Sequence, residues 1–120
     1  MTLINKDDLI RWHASIDHVG NSEVVLDSGG GRSVMSFKLA QSAGVHINET
    51  STMVESSTGD LSQAIGVTNM LKINFEGIIS HISFLITNVK SVDILLGNAW
   101  FVQSGVLLDP KNRSFMLPAR

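Results

Sequence analysis

Apolar side chains recur at every second position in several stretches of this chain, and that period constrains the fold more than any other feature. Ile10, Trp12, Ala14 and Ile16 alternate with Arg11, His13, Ser15 and Asp17. Leu71, Ile73 and Phe75 alternate with Lys72, Asn74 and Glu76; after Gly77 the period resumes at Ile78, Ser80, Ile82, Phe84 and Ile86. A period of two puts one set of side chains on one face of a strand, so each stretch predicts a half-buried strand. The turn at Asp17–Ser22 returns the chain through Glu23 to Leu26, and the 71–86 stretch predicts a hairpin about Gly77. "SGVLLDPKNRSFML" predicts another about Asp109–Pro110–Lys111–Asn112. Two segments differ. Phe37–Ala43 predicts a short helix capped by Ser36 and closed by Gly44, and Asn98–Ser104 has helical spacing between Gly97 and Gly105. Between the helices, "ETSTMVESSTGDLSQAIGVT" is polar, with a turn signal at Thr58–Gly59–Asp60, and predicts an exposed, projecting hairpin. The expectation is a mainly β protein with one or two short helices.

The 120 residues are expected to form a single domain able to bury roughly two thirds of its unfolded surface. A hydrophobic content of 43% against 17% charged residues fits a globular chain rather than a disordered tail. The net charge is −2 and the basic residues are scattered, which gives no electrostatic case for nucleic acid. No apolar run approaches the ~20 residues of a membrane-spanning helix. Met1–Asp8 is too polar for a signal peptide, so a soluble, intracellular chain is the expectation. With no cysteine, disulfides and thiolate sites are excluded. The four histidines, His13, His18, His46 and His81, show no metal-ligand spacing, so neither metal nor cofactor is expected.

One stretch, "VVLDSGGGRSVM" at residues 24–35, demands a chemical explanation. An apolar strand runs directly into a carboxylate, Asp27, and an ionised group at such a place is costly unless paired or hydrogen-bonded. Three glycines, Gly29, Gly30 and Gly31, suggest unusual backbone angles or close approach by another chain. A phosphate-binding loop is excluded, because no Gly-Lys-Ser/Thr follows and no helix begins there. The bland alternative for Asp27 is an acid that hydrogen-bonds its own turn.

Asp27-Ser28-Gly29 after "VVL" resembles the Asp-Ser/Thr-Gly signature of aspartic proteases. "DILLGNAWF" at Asp93–Phe101 is similar to the apolar-apolar-Gly segment before the C-terminal helix of the retroviral and retrotransposon-type members, the retropepsin-like proteases. "SVMSFKLAQSAGV" and "VLLDPKNRSFML" are similar to further segments of that family, so the resemblance spans about residues 9–117. It implies a retropepsin-like closed β-barrel or sandwich and aspartic endopeptidase activity, with a polyprotein as the natural substrate. An aspartic protease needs two carboxylates that share a proton, which is known behaviour of this enzyme class. This chain has one Asp-Ser-Gly, so the resemblance implies a C2 homodimer with Asp27 facing its symmetry mate.

By the same resemblance, Ser28 would hydrogen-bond across the dimer, and Gly29 would let substrate backbone approach. Val24, Val25 and Leu26 would limit water beneath the dyad. Thr58, Gly59 and Asp60 would form the tip of a flap closing on an extended peptide. Ser114–Leu117 would supply a strand to the dimer base. The chain departs from the family at Gly30, where alanine is usual, and at Gly31 and Arg32, where retroviral enzymes often carry acids. Arg32 is thereby a substrate-binding candidate with a possible taste for acidic residues, or else a solvated loop charge. Asp93 reads as structural, at a strand entrance, and Trp12 and Trp100 as core or dimer-contact residues. The alternative to an enzyme is a retropepsin-fold dimerisation or peptide-binding module without turnover.

Overall fold

The computed structural model describes residues 9–55, 61–88 and 92–119. The first strands are β1 (Ile10–Ile16), β2 (Gly20–Leu26) and β3 (Val34–Ser36), followed by α1 (Phe37–Ala43). Then come β4 (Ile47–Asn48), β5 (Met53–Glu55), β6 (Leu61–Gln63), β7 (Gly66–Thr68), β8 (Leu71–Phe75), β9 (Ile78–Ile82) and β10 (Leu85–Thr87). β11 (Ile94–Leu96), α2 (Asn98–Ser104), β12 (Leu107–Asp109) and β13 (Ser114–Met116) complete the order. The mainly β expectation with two short helices holds.

Local signals formed the elements they predict. In the β1–β2 hairpin, Ile10 pairs with Leu26 and Ile16 with Gly20, and the turn is made by the left-handed His18 and Gly20 at φ 69° and 81°. The Ser36 hydroxyl accepts the Leu39 amide at 3.2 Å, starting α1, and Gly44 ends it at φ 72°. Gly105 closes α2 in the same way at φ 78°. β12 and β13 pair about the Asp109–Asn112 turn, where both Asp109 carboxylate oxygens accept from Asn112.

Nine strands form one sheet in the order β4-β7-β10-β3-β11-β2-β1-β8-β9. Its end strands β4 and β9 do not pair with each other, so the sheet is curled but open, and the expected closed barrel is not formed among the described residues. A second departure lies at Ser83–Phe84. The alternation from Ile78 to Ile86, expected to continue one strand, breaks there: β9 ends at Ile82 and the chain re-enters the sheet interior as β10. β10 runs parallel to β3, pairing Leu85 with Val34, and antiparallel to β7. Its three residues are all buried, as a central strand requires.

The core gathers Trp100, Phe75, Phe84, Met35, Ile73 and Leu96, all fully buried. Trp100 meets Phe75 edge-on at 4.9 Å and donates its indole N–H to Ser80 Oγ at 2.9 Å, so its one polar atom is satisfied. Trp12 is not a core residue. It is 39% exposed, with its ring edge on Phe115 and its indole N–H donated to Glu76 at 2.7 Å. Glu76, in the β8–β9 turn, holds that polar edge at the surface.

Candidate active site

The segment Asp27–Ser33 is placed by a crossing of strands. β11 lies between β2 and β3, parallel to β2 (Leu95 with Val25, Leu96 with Leu26) and antiparallel to β3 (Ile94 with Met35). Residues 27–33 therefore bridge the end of β11 to pass from β2 to β3. Val24, Val25 and Leu26 are buried because β2 is flanked by β1 and β11. The Asp27 amide extends that pairing by donating to Leu96 O at 3.0 Å.

From beneath, the chain after β11 grips the loop. Asn98 N–H donates to Gly30 O, Ala99 N–H to Gly31 O at 3.3 Å, and Gly97 N–H to the buried Ser33 hydroxyl at 3.0 Å. Gly97 passes so close that a Cβ there would lie 2.7 Å from Arg32 O and 2.8 Å from Gly30 O. That glycine is required for space, since its extended backbone at φ −96° suits any residue.

The half-buried Asp27 carboxylate uses its two oxygens differently. Oδ1 accepts the Gly29 amide at 3.1 Å, and Gly30 N–H returns to Asp27 O at 3.1 Å, so the acid does cap its own turn. Oδ2 accepts nothing from the described residues. Asp27 lines a cavity of about 340 Å³ walled by Gly30, Gly31, Arg32, Val34, Leu85 and Leu95 on the sheet side, and by Thr52, Met53 and Val54 on the other. A carboxylate oriented through one oxygen and open through the other can accept a proton from, or hydrogen-bond, a molecule in that cavity.

The three loop glycines do not serve backbone conformation. Gly29, Gly30 and Gly31 all lie outside the left-handed region, and a Cβ at Gly31 would meet nothing within 4 Å. Ser28 is half-buried, and its hydroxyl has no partner among the described residues. Arg32 is exposed and forms no ion pair with a described residue. The arms of the projecting hairpin are β5 and β6, pairing Met53 with Gln63 and Glu55 with Leu61 in a separate two-stranded sheet. Thr58, Gly59 and Asp60 lie outside the described residues. Asp93 is remote from Asp27 in role: its Oδ1 accepts the Ser36 hydroxyl at 2.9 Å and its carbonyl accepts the Ser36 amide at 2.8 Å.

Sequence reasoning did not single out Ser33, or the cavity wall of Thr52, Met53, Val54, Leu85 and Leu95. Leu95 was within reach, being part of "ILLG"; the others become neighbours of Asp27 only through pairings distant in sequence. Among the described residues no group of three or more His, Asp or Glu side chains is arranged to hold a metal. No described helix is long and apolar enough to cross a membrane.

The family model described as retroviral aspartyl protease matches residues 5–120. Among solved structures, the chain is similar to the retroviral protease-like domain of Ddi1 from Leishmania major, with a TM-score of 0.67 and 16% identity over 91% of this chain and 86% of that one. It is likewise similar to EIAV protease in complex with the inhibitor HBY-793, with a TM-score of 0.66 and 16% identity over 84% and 92% of the two chains. The Simian Foamy Virus (mac) protease follows at a TM-score of 0.54 and 15% identity, covering 77% and 91%. At these identities the likeness establishes the fold. No curated protein sequence matches the chain.

Proposed function

The chain belongs to the retroviral aspartyl protease family and has a retropepsin-like fold, and from that premise we propose that it is an aspartic endopeptidase, active as a C2 homodimer, that processes a polyprotein. The observation that carries this reading is the Asp27 carboxylate, oriented by Gly29 through one oxygen and open through the other to a cavity roofed by a hairpin arm.

Peptide hydrolysis of this kind requires a base that takes a proton from water and an acid that gives one to the scissile carbonyl. Among the described residues Asp27 is the one carboxylate that lines the cavity, and Asp93 is engaged with Ser36. A second copy completes the site, its Asp27 standing across a two-fold axis. The pair then holds one proton between two acids and titrates as a unit. Water attacks the carbonyl directly, and the protonated carboxyl stabilises the oxygen as charge develops. The Ser28 hydroxyl, without a partner among the described residues, bonds across the same axis in this reading, and Gly29 lets substrate backbone approach. The β5–β6 hairpin covers a peptide bound as an extended strand.

The test is cleavage of a diverse peptide mixture, read by mass spectrometry from about pH 4 to 7, for wild type and Asp27→Asn side by side. Wild type is expected to cut with a bell-shaped pH profile: activity falls at low pH as the base is protonated and at high pH as the acid ionises. Asp27→Asn is expected to lose cleavage by about a thousandfold or more while keeping its fold and its dimer in sedimentation. Equal cutting by the two, or none by a folded, dimeric wild type, overturns the protease reading in favour of a binding module.

A further inference from the structure

Arg32 follows the loop glycines and lines two cavities at once. One is the Asp27 cavity; the other is a neighbouring groove of about 220 Å³ bounded by Met70, His81, Ser83, Ala99 and Gln103. The groove carries several side-chain donors. Gln103 Oε1 is occupied, accepting the His81 amide at 2.7 Å, which leaves the Gln103 amide nitrogen without a partner among the described residues. The His81 ring carries a donor in either tautomer, and Ser83 adds a hydroxyl. No carboxylate lines the groove. The Arg32 guanidinium is exposed, always charged and unpaired among the described residues, although the chain as a whole is net negative. A guanidinium with no carboxylate partner among the described residues, beside a groove that offers further donors, can pair with a carboxylate brought by a ligand.

We propose that Arg32 is a specificity-determining residue that binds the carboxylate of an Asp or Glu side chain of the substrate, at the junction of the Asp27 cavity and the groove walled by His81 and Gln103. This rests on the protease reading given above. An extended peptide advances about 3.3 Å per residue and presents alternate side chains to one wall. An acid a few residues from the scissile bond therefore reaches Arg32 while the bond itself stays at Asp27. In a C2 dimer the groove occurs twice, so acidic residues are selected on both sides of the cut.

Peptides differing only by Glu, Gln or Lys at each position around one scissile bond test this. Wild type is expected to cleave the preferred Glu peptide about tenfold better in kcat/KM than its Gln counterpart, a preference that shrinks as salt rises. Arg32→Ala removes the difference, and Arg32→Glu inverts it toward Lys. A second arm needs no turnover: the same peptides are titrated against Asp27→Asn and against Asp27→Asn/Arg32→Ala, by calorimetry. Tighter binding of Glu than Gln peptides that disappears in the double variant supports the carboxylate site. If that occurs with no cleavage by wild type, the protease reading fails and the site stands. Cleavage or binding indifferent to charge, or a charge preference that survives Arg32→Ala, overturns the assignment.

Discussion

The floor and the roof of the Asp27 cavity are built on opposite principles. The floor, residues 27–33, is tied into the fold: its backbone is bonded to Leu96, Asn98 and Ala99, and the buried Ser33 hydroxyl accepts the Gly97 N–H. The roof, β5 and β6, belongs to its own two-stranded sheet, and Met53 on it is half exposed. At its root its two arms are joined by Ala64 N–H to Thr52 O and Gln63 Nε2 to Thr50 O, and Ile65 N–H ties it to Ile86 O of β10, each at 2.9 Å. The division suits a reaction in which a carboxylate must hold its position while a polymer enters and leaves. Floor residues are therefore expected to be worth stability, and roof residues binding.

Gly97→Ala tests the floor and has the largest expected effect on folding. A methyl group there would press on two carbonyl oxygens at 2.7 and 2.8 Å, and backbone cannot rotate away as a side chain can. Overpacking of this kind costs about 1–3 kcal/mol, and the displaced loop carries Asp27 with it. Chemical denaturation should show a lowered midpoint, and cleavage by the residual folded protein should drop further than its folded fraction. A variant as stable and as active as wild type would show that the floor is not held by this crossing.

Met53→Ala tests the roof. The side chain lines the cavity yet is 52% exposed, so its loss should change stability by only about 0.5 kcal/mol. If Asp27 cleaves a peptide held in this cavity, Met53 is covered by it, so the variant should raise KM several-fold for peptides with an apolar residue near the cut, leaving kcat nearly constant. A large stability loss with unchanged KM would reverse the assignment of roles.

The same division explains what was legible in the sequence. Ser36 and Gly44 mark α1 because a cap acts within four residues, and Asp27-Ser28-Gly29 stands out because an acid ending an apolar run is unusual in itself. The insertion of β11 between β2 and β3 pairs Leu95 with both Val25 and Val34, residues far apart in sequence, and leaves no local mark. Alternation also deceived at Ser83–Phe84, where burial persists across a break, because period reports which side chains are buried and is silent about which strand they pair with. Trp12 followed the apolar period of β1 but sits where Glu76 can reach its indole, at the surface. The glycines were half legible: their number suggested unusual backbone angles or close approach by another chain, and none of Gly29, Gly30 and Gly31 adopts a left-handed φ, while space is what Gly97 needs.

That last point yields the smallest and most discriminating change, Gly30→Ala. A Cβ at Gly30 would stand 3.4 Å from Asp27 O and from Leu95 Cδ2 and 3.6 Å from Asp27 Oδ2, which are ordinary contacts. Alanine removes backbone freedom from the unfolded chain without straining the folded one, for a gain of about 0.4–1 kcal/mol. The Gly30 amide still donates to Asp27 O, and the methyl packs on Leu95 at the edge of the cavity. Thermal unfolding should move up by a few degrees, with cleavage retained. Gly31→Ala, whose Cβ meets nothing, separates the entropic part of this gain from the contact with Leu95. Should Gly30→Ala instead destabilise the protein, and do so only at concentrations that favour dimers, the glycine is reserved for the approach of the second chain. The floor would then be shaped by its partner as well as by β11.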